Sequence, residues 1–292
     1  MSTRRPLLIM AASAVCFALM ALAAKLASAR LSGVEVAFMR FAFMAVPVLA
    51  VPRLLRQALD FQRVDLLIYR GVFGGLAILL YFLAIAHIPV GIATLLNYVS
   101  PVFSVAFAAL FLGERVDRRL LLPLIAALTG MVLAAGGSGG AGGAGQLLRF
   151  SRWELAGMTS AVLTGAAVAA IRAARRTEGS WAIYGSLTLF GLLATAPFAV
   201  ASFQLPTPRE WLLLAGVGLG SIAAQLLMTY AYRWVTNLQA GVLSQLTVVL
   251  SLLFGVVFLG DRPAPVQIFG SLLTLVGVTG VVWLQATPRA VE

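Results

Sequence analysis

Charge is scarce in this chain. Of its 292 residues 11% are Asp, Glu, Lys or Arg, while 61% are hydrophobic. A soluble domain carries about 25% charged residues, so a water-exposed globule is excluded. There is one cysteine, Cys16, and one histidine, His87. A lone thiol cannot close an intrachain disulfide, and one His with one Cys does not supply the convergent ligands of a metal site. No metal or cofactor is expected. No Walker A sequence occurs either, so ATP-driven transport by this chain alone is not expected, and nothing points to an obligatory ATPase subunit. GxGxG at Gly216, Gly218 and Gly220 lies inside an apolar run with no strand before it, and reads as helix packing, not nucleotide binding.

What is present instead is length of apolar run. Stretches of roughly 18 residues or more, enough to cross a bilayer core, recur along the whole chain. Mean hydropathy is +0.99. The runs are continuously apolar, so helices are favoured over a barrel. Ten transmembrane helices are expected, at 7–29, 34–52, 64–85, 89–111, 119–137, 153–173, 180–201, 211–233, 236–259 and 264–284. The first is too long for a signal-peptide core. The fold class is therefore all-α integral membrane protein, with the lipid bilayer as its surroundings.

Ten spans place both termini on one side. Thirteen arginines fall on that side and five on the other, so the positive-inside rule makes both termini cytoplasmic. The formal charge of +11 is thus loop arginine set by topology, not a nucleic-acid surface. Trp153, Trp211, Trp234 and Trp283 fall near span ends and suit interfacial anchors.

The chain also repeats itself. FLGER begins at Phe111 and FLGDR at Phe258, an offset of 258 − 111 = 147. In the same register Ala84 meets Ala231, Ala93 meets Ala240, Ser104 meets Ser251 and Gly130 meets Gly277. This predicts two five-helix units, 1–137 and 152–292, joined by a Gly-rich linker at 138–151. Five is odd, so the second unit enters the membrane from the opposite face. Arg118 and Arg119 follow the first corner, on the cytoplasmic side, whereas Pro263 and Pro265 follow the second, outside. Inverted-topology repeats of this kind are characteristic of secondary transporters with a site near the midplane.

Ala93, Pro101, FLGER and Gly130, echoed by Ala240, FLGDR and Gly277, resemble the signature of the EamA-type branch of the drug/metabolite transporter superfamily. Val248 stands where the first copy has Pro101. The resemblance spans nearly the whole chain. It implies ten helices and export of small metabolites, often amino acids, and within the family the chain is similar to aromatic amino acid exporters of the YddG kind.

Polar groups inside the spans are costly against lipid and mark candidate sites. Thr94, Asn97, Tyr98 and Pro101 share one helical face, and the repeat register carries Asn97 and Tyr98 onto Ser244 and Gln245. Two symmetry-related helices would then present these groups to one cavity. Gln225, Thr229 and Tyr230 of the eighth span, with Tyr81 and Tyr184, are further candidates, a phenol being able to stack and hydrogen-bond at once. Lys25 and Arg40 are candidates for a substrate carboxylate; pairing within the protein is the alternative, with Glu35 the nearest acid to Arg40. Arg70 lies one or two turns into the third span.

No Asp or Glu lies mid-span, which disfavours exchange of a proton for a cationic drug. The expectation is a secondary transporter exporting small amphipathic metabolites, foremost amino acids, aromatic ones among them, by alternating access in a bacterial inner membrane. A proton-coupled multidrug exporter and a membrane enzyme acting on a lipid-linked substrate are the rival readings.

Overall fold

The computed structural model describes residues 4–112, 118–136, 150–174, 177–201, 203–231, 234 and 237–286. Among these the chain is helical, with ten segments long and apolar enough to cross a membrane. In chain order the helices are α1 (Arg4–Ala27), α2 (Gly33–Ala50), α3 (Pro52–Leu59), α4 (Val64–His87), α5 (Val90–Asn97), α6 (Ser100–Leu112), α7 (Leu121–Gly136), α8 (Arg152–Ala174), α9 (Ser180–Ala201), α10 (Pro208–Ala231), α11 (Asn237–Leu259) and α12 (Pro265–Ala286). The Gly-rich stretch at 138–149 and the first corner from Gly113 to Asp117 lie outside the described residues.

Two elements depart from the sequence expectation. The loop expected after the second span holds a short helix, α3, opened by Pro52 at its first turn. Pro is suited to that position because its missing N–H has no intrahelical partner there. Ala58 is buried and its backbone carbonyl lies against Gly185 of α9, while Arg53 and Arg56 face outward. The fourth span is in fact two helices. It breaks at Tyr98 and Val99, just before Pro101, which can donate no hydrogen bond to the Asn97 carbonyl and instead sits in the first turn of α6, where its missing N–H has no intrahelical partner. Its counterpart α11 has Val248 at that place and runs unbroken.

The repeat register is also a relation in space. It carries α2 onto residues 180–197 of α9, and α5 with α6 onto α11. Packing follows the same rule: α1 lies against α10 as its counterpart α8 lies against α4. The helices α7 and α12 close the structure by packing on each other. A Cβ placed on Gly130 would come within 2.5 Å of the Thr274 nitrogen and 2.7 Å of the Gly270 carbonyl. The repeat turns that contact into Gly277 against Ala127 and Pro123, and both are indeed its neighbours. A pseudo-twofold axis therefore relates the halves, and the odd span count inverts them.

The second corner shows what its glycine does. Gly260 turns the chain at φ +70°, a conformation that costs a side chain dearly. The Asp261 N–H then returns to the Gly255 carbonyl at 3.0 Å.

Three spans open with a Ser/Thr-x-x-Glu box. Ser32 and Glu35, Ser151 and Glu154, and Thr207 and Glu210 each exchange side-chain and backbone hydrogen bonds at the starts of α2, α8 and α10. Such boxes satisfy donors that a helix start leaves free. Replacing Ser32 by alanine is expected to cost about 1 kcal/mol, read as a lowered melting temperature in detergent with the fold retained.

Candidate functional site

The terminal face, where α1 begins and α12 ends, and the opposite face are built differently. At the opposite face polar contacts tie the halves together. Arg30 of the first half grips the Glu210 carboxylate with Nε at 2.7 Å and Nη2 at 2.6 Å, and Nη2 also reaches the Leu205 carbonyl. Glu35 accepts from the Gln204 backbone N–H at 2.5 Å. Below them lies a continuous apolar core that includes Ile85, Ile88 and Ile92. Burial lifts the Asp261 carboxyl above its usual range while Lys25 opposes that shift.

From the middle of the membrane toward the terminal face the packing opens into a cavity of about 250 Å³. Its lining confirms the depth: positions 10–20 of α1, 70–81 of α4, 164–171 of α8, 225 and 228 of α10, and 244–247 of α11 contribute. Each set occupies the terminal-side portion or middle of its helix. α7 and α12 contribute nothing among the described residues. The wall is symmetric in position. Phe17 and Thr164, Arg40 and Leu187, Tyr81 and Met228, Asn97 and Ser244, and Tyr98 and Gln245 are repeat-related pairs, and both members of every pair line it. The pseudo-twofold axis passes through the cavity.

In chemistry the wall is not symmetric. Arg40 and Arg70 are its only charged residues among those described, and both come from the first half. Their counterparts are Leu187 and Val217. Arg40 is buried, donates from Nε to the Ser221 hydroxyl at 2.9 Å, and lies over the rings of Phe41 and Phe82 at 5.7 and 5.6 Å. The symmetry-related contact is Leu187 against Gly74, an apolar version of the same interface. Arg70 lays its guanidinium along α4 across Gly74, where a Cβ would collide with Nη1. Its Nε has no hydrogen-bond partner.

Of the residues singled out in the sequence, Asn97, Tyr98, Ser244, Gln245, Gln225, Tyr81 and Arg40 meet at this cavity. Asn97 spans the break, donating to Ser160 at 3.1 Å and Thr164 at 3.2 Å of α8. Ser244 bonds the Gly241 carbonyl at 2.7 Å, while the Gln245 Nε2 is buried without a partner.

Four residues are placed elsewhere. Thr94 stands behind the wall, accepting from the Tyr81 hydroxyl at 3.0 Å and donating to the Val90 carbonyl at 2.8 Å. Lys25 donates to the Ala86 and Ile88 carbonyls at 3.3 and 2.9 Å, tying α1 to the end of α4 near the opposite face. Tyr184 donates to the Met44 carbonyl at 2.9 Å and belongs to the α2–α9 packing. Tyr230 is 48% exposed and leans on Trp234 with ring centroids 4.6 Å apart. The Thr229 side chain lies outside the described residues. Glu35 does not pair with Arg40, being committed to its helix cap and to Gln204.

Arg70 is the charged cavity residue that the sequence did not nominate. Its signal was available in outline: a guanidinium one or two turns into a span, with glycine one turn further on to make room for it.

Comparison with known proteins follows the same architecture. A family described as the EamA-like transporter family matches residues 4–136 and 151–283, two stretches in the repeat register. The pseudopaline exporter CntI of Pseudomonas aeruginosa is 31% identical over 227 residues, which is 76% of this chain and 78% of that protein. A probable terminal-alkyne amino-acid exporter of Streptantibioticus cattleyicolor is 29% identical over 205 residues, 66% of this chain and 64% of that one. A solved crystal structure shares the fold at a TM-score of 0.61, with 22% identity, covering 96% of this chain and 97% of its own.

Proposed function

The chain belongs to the EamA-like transporter family, whose pattern covers both of its halves, and from that premise we propose that it is a secondary exporter of small amphipathic metabolites, amino acids foremost. It works by alternating access from a bacterial inner membrane with both termini in the cytoplasm. The thirteen-to-five arginine bias supports that orientation. The carrying observation is the cavity itself. It lies on the pseudo-twofold axis, draws repeat-related residues from both halves, and extends from the midplane toward one face only. A site on the axis of inverted repeats is the arrangement that lets one packing be exchanged for its symmetry-related alternative. With the termini inside, this is the inward-facing state, sealed outside by Arg30 with Glu210 and by Glu35 with Gln204.

Polar side chains then bind and orient the substrate. Asn97 and Gln245 face the cavity from opposite halves, and Tyr81 and Tyr98 offer hydroxyl and ring together. The absence of a carboxylate from the described lining leaves no group there to exchange a proton for a cation. That supports a metabolite carrier over a multidrug antiporter. Names borne by relatives agree in kind, both being exporters of small molecules.

Purified protein in liposomes tests this. Saturable flux of radiolabelled phenylalanine, tryptophan or threonine is expected, with little flux of a lipophilic cation and no requirement for an imposed proton gradient. Asn97→Ala and Gln245→Ala are each expected to lower that flux about tenfold, the loss of one or two hydrogen bonds. Flux of the cation alone, driven by a proton gradient, would defeat the proposal.

A further inference from the structure

Two buried guanidiniums in one cavity need an explanation. Arg40 is 5% exposed and Arg70 9%, and they repel one another across the space between them. A buried charge is expensive unless it is paired. The acids that the structure describes are employed elsewhere or lie apart. Glu35, Glu154 and Glu210 cap helices. Asp65 pairs with Arg63, and Glu178 accepts the Arg63 backbone N–H. Asp60 is exposed, and Asp261 sits against Gly255 beyond the end of α11. None lines the cavity.

Among the described residues, the buried wall atoms left without a hydrogen-bond partner are both donors. Arg70 Nε and Gln245 Nε2 are buried donors with no acceptor, and the Arg40 Nε is satisfied only by a hydroxyl. The second half adds apolar surface through Val168, Ile171, Leu187 and Met228 beside its polar Thr164, Gln225, Ser244, Gln245 and Thr247. The described wall thus carries positive charge with no carboxylate to meet it, together with apolar surface that accepts hydrocarbon.

We propose that Arg40 and Arg70 form a carboxylate-binding pair, and that the exported substrate is a net-anionic metabolite with two carboxylates and an apolar arm. This rests on the exporter reading above and narrows its substrate class. A consequence concerns energy. A uniporter that carries net negative charge outward is driven by the inside-negative membrane potential, so it needs no proton-exchanging carboxylate. At equilibrium the potential multiplies the concentration ratio by about 50-fold per net charge for each 100 mV.

A series built on one apolar arm separates charge from size: phenylalanine (net zero), 3-phenylpropionate (one negative charge) and benzylsuccinate (two). In detergent, benzylsuccinate is expected to raise the melting temperature at concentrations about tenfold or more below those needed for phenylalanine, as charge-assisted bonds require. Arg70→Gln should remove most of that preference, weakening benzylsuccinate, which has two carboxylates to lose contacts from, more than phenylalanine, which has one. Gly74→Ala, which keeps the charge but displaces the guanidinium, should weaken benzylsuccinate in the same direction and guards against a folding defect in the first variant. In liposomes, benzylsuccinate accumulation should follow a potassium diffusion potential and ignore a pH gradient.

Equal responses to phenylalanine and benzylsuccinate, or a preference that survives in both variants, would overturn the pair. So would flux that follows the pH gradient and not the potential. The two readings can fail separately. Phenylalanine flux with no response to benzylsuccinate keeps the exporter and removes the dicarboxylate, whereas selective benzylsuccinate binding without flux of any compound keeps the site and removes the exporter.

Discussion

Gly277→Leu is expected to abolish recovery of folded protein, and Gly130→Leu to do the same. In a bilayer, helices gain little from hydrophobic burial against one another, because lipid tails are as apolar as leucine. Close backbone approach through small residues supplies the attraction instead. The α7–α12 contact is of this kind at both symmetry-related positions. Every near neighbour of a Cβ on Gly277 is main chain: the Ala127 nitrogen, its Cα at 2.7 Å and the Pro123 carbonyl at 2.8 Å. No rotamer change relieves such a clash, so the helices must separate along the seam. Even alanine should cost about 1–3 kcal/mol, the usual range for overpacking, and leucine considerably more. The comparison that makes the test specific is Gly216→Ala in α10, where a Cβ would meet only the Ala23 Cβ at 3.7 Å. That change should stay within about 0.5 kcal/mol. Size-exclusion profiles and melting temperatures in detergent distinguish the two. A Gly277→Leu protein that elutes and melts like the parent would show that α7 and α12 do not pack as described. Gly130→Ala and Gly277→Ala together should be less than additive, since both glycines serve one interface.

The seam also shows why the architecture was legible before the structure. Hydropathy fixes spans because the bilayer imposes one length on every helix, and Gly130 with Gly277 falls in the same register as the repeated corner. The Ser-x-x-Glu and Thr-x-x-Glu boxes at Ser32, Ser151 and Thr207 are likewise local signals. α3 was missed because so short a helix, carrying Arg53 and Arg56, has no span-length signature. What orders it is Ala58 against Gly185, a contact with a helix of the other half.

Site residues were harder for a related reason. Which face of a span meets the cavity depends on its neighbours, and symmetry constrains only pairs. Asn97 with Ser244 and Tyr98 with Gln245 could be proposed together because each supports the other. Tyr184 falls opposite Ala37 and so has no such check, and Lys25 falls opposite Arg172, whose side chain lies outside the described residues. Their acceptors are main-chain carbonyls of distant helices, at Ala86, Ile88 and Met44. Any residue can offer a carbonyl, so no sequence pattern reveals them. Of the two partners weighed for Arg40, a substrate carboxylate and a protein acid, the second is not Glu35. Glu35 is close in sequence, which suggests pairing, yet the cap at Ser32 and the Gln204 N–H claim its oxygens.

Pro101→Ala should slow the proposed transport about tenfold while leaving substrate affinity within about threefold. Proline in a helix interior is about 3 kcal/mol less favourable than alanine. The break at Tyr98 and Val99 relieves that conflict, leaving α5 and α6 as separate rigid pieces. Both lie on α8, α5 through Leu96 at Gly157 and through Asn97, and α6 at Gly165, but α5 also packs its Gly91 against Leu252 of α11. Asn97 and Tyr98, at the junction, face the cavity. Rocking the halves would have to change the angle between these pieces, and a continuous helix resists that change. Alanine restores a donor for the Asn97 carbonyl, so the rejoined helix should raise thermal stability as it lowers turnover. Since conformational exchange sets the rate of many such cycles, the loss falls on turnover and not on binding. Counterflow rates against equilibrium binding by the same protein separate the two. An unchanged rate with a raised melting temperature would mean that the junction does not bend during the cycle. The reciprocal change, Val248→Pro, places a second break in α11 at the symmetry-related position. If flexibility there were all that mattered, it would offset the loss in Pro101→Ala. Because α11 carries Gln245 on a rigid segment opposite the hinge, the double variant is expected instead to lose affinity as well as rate.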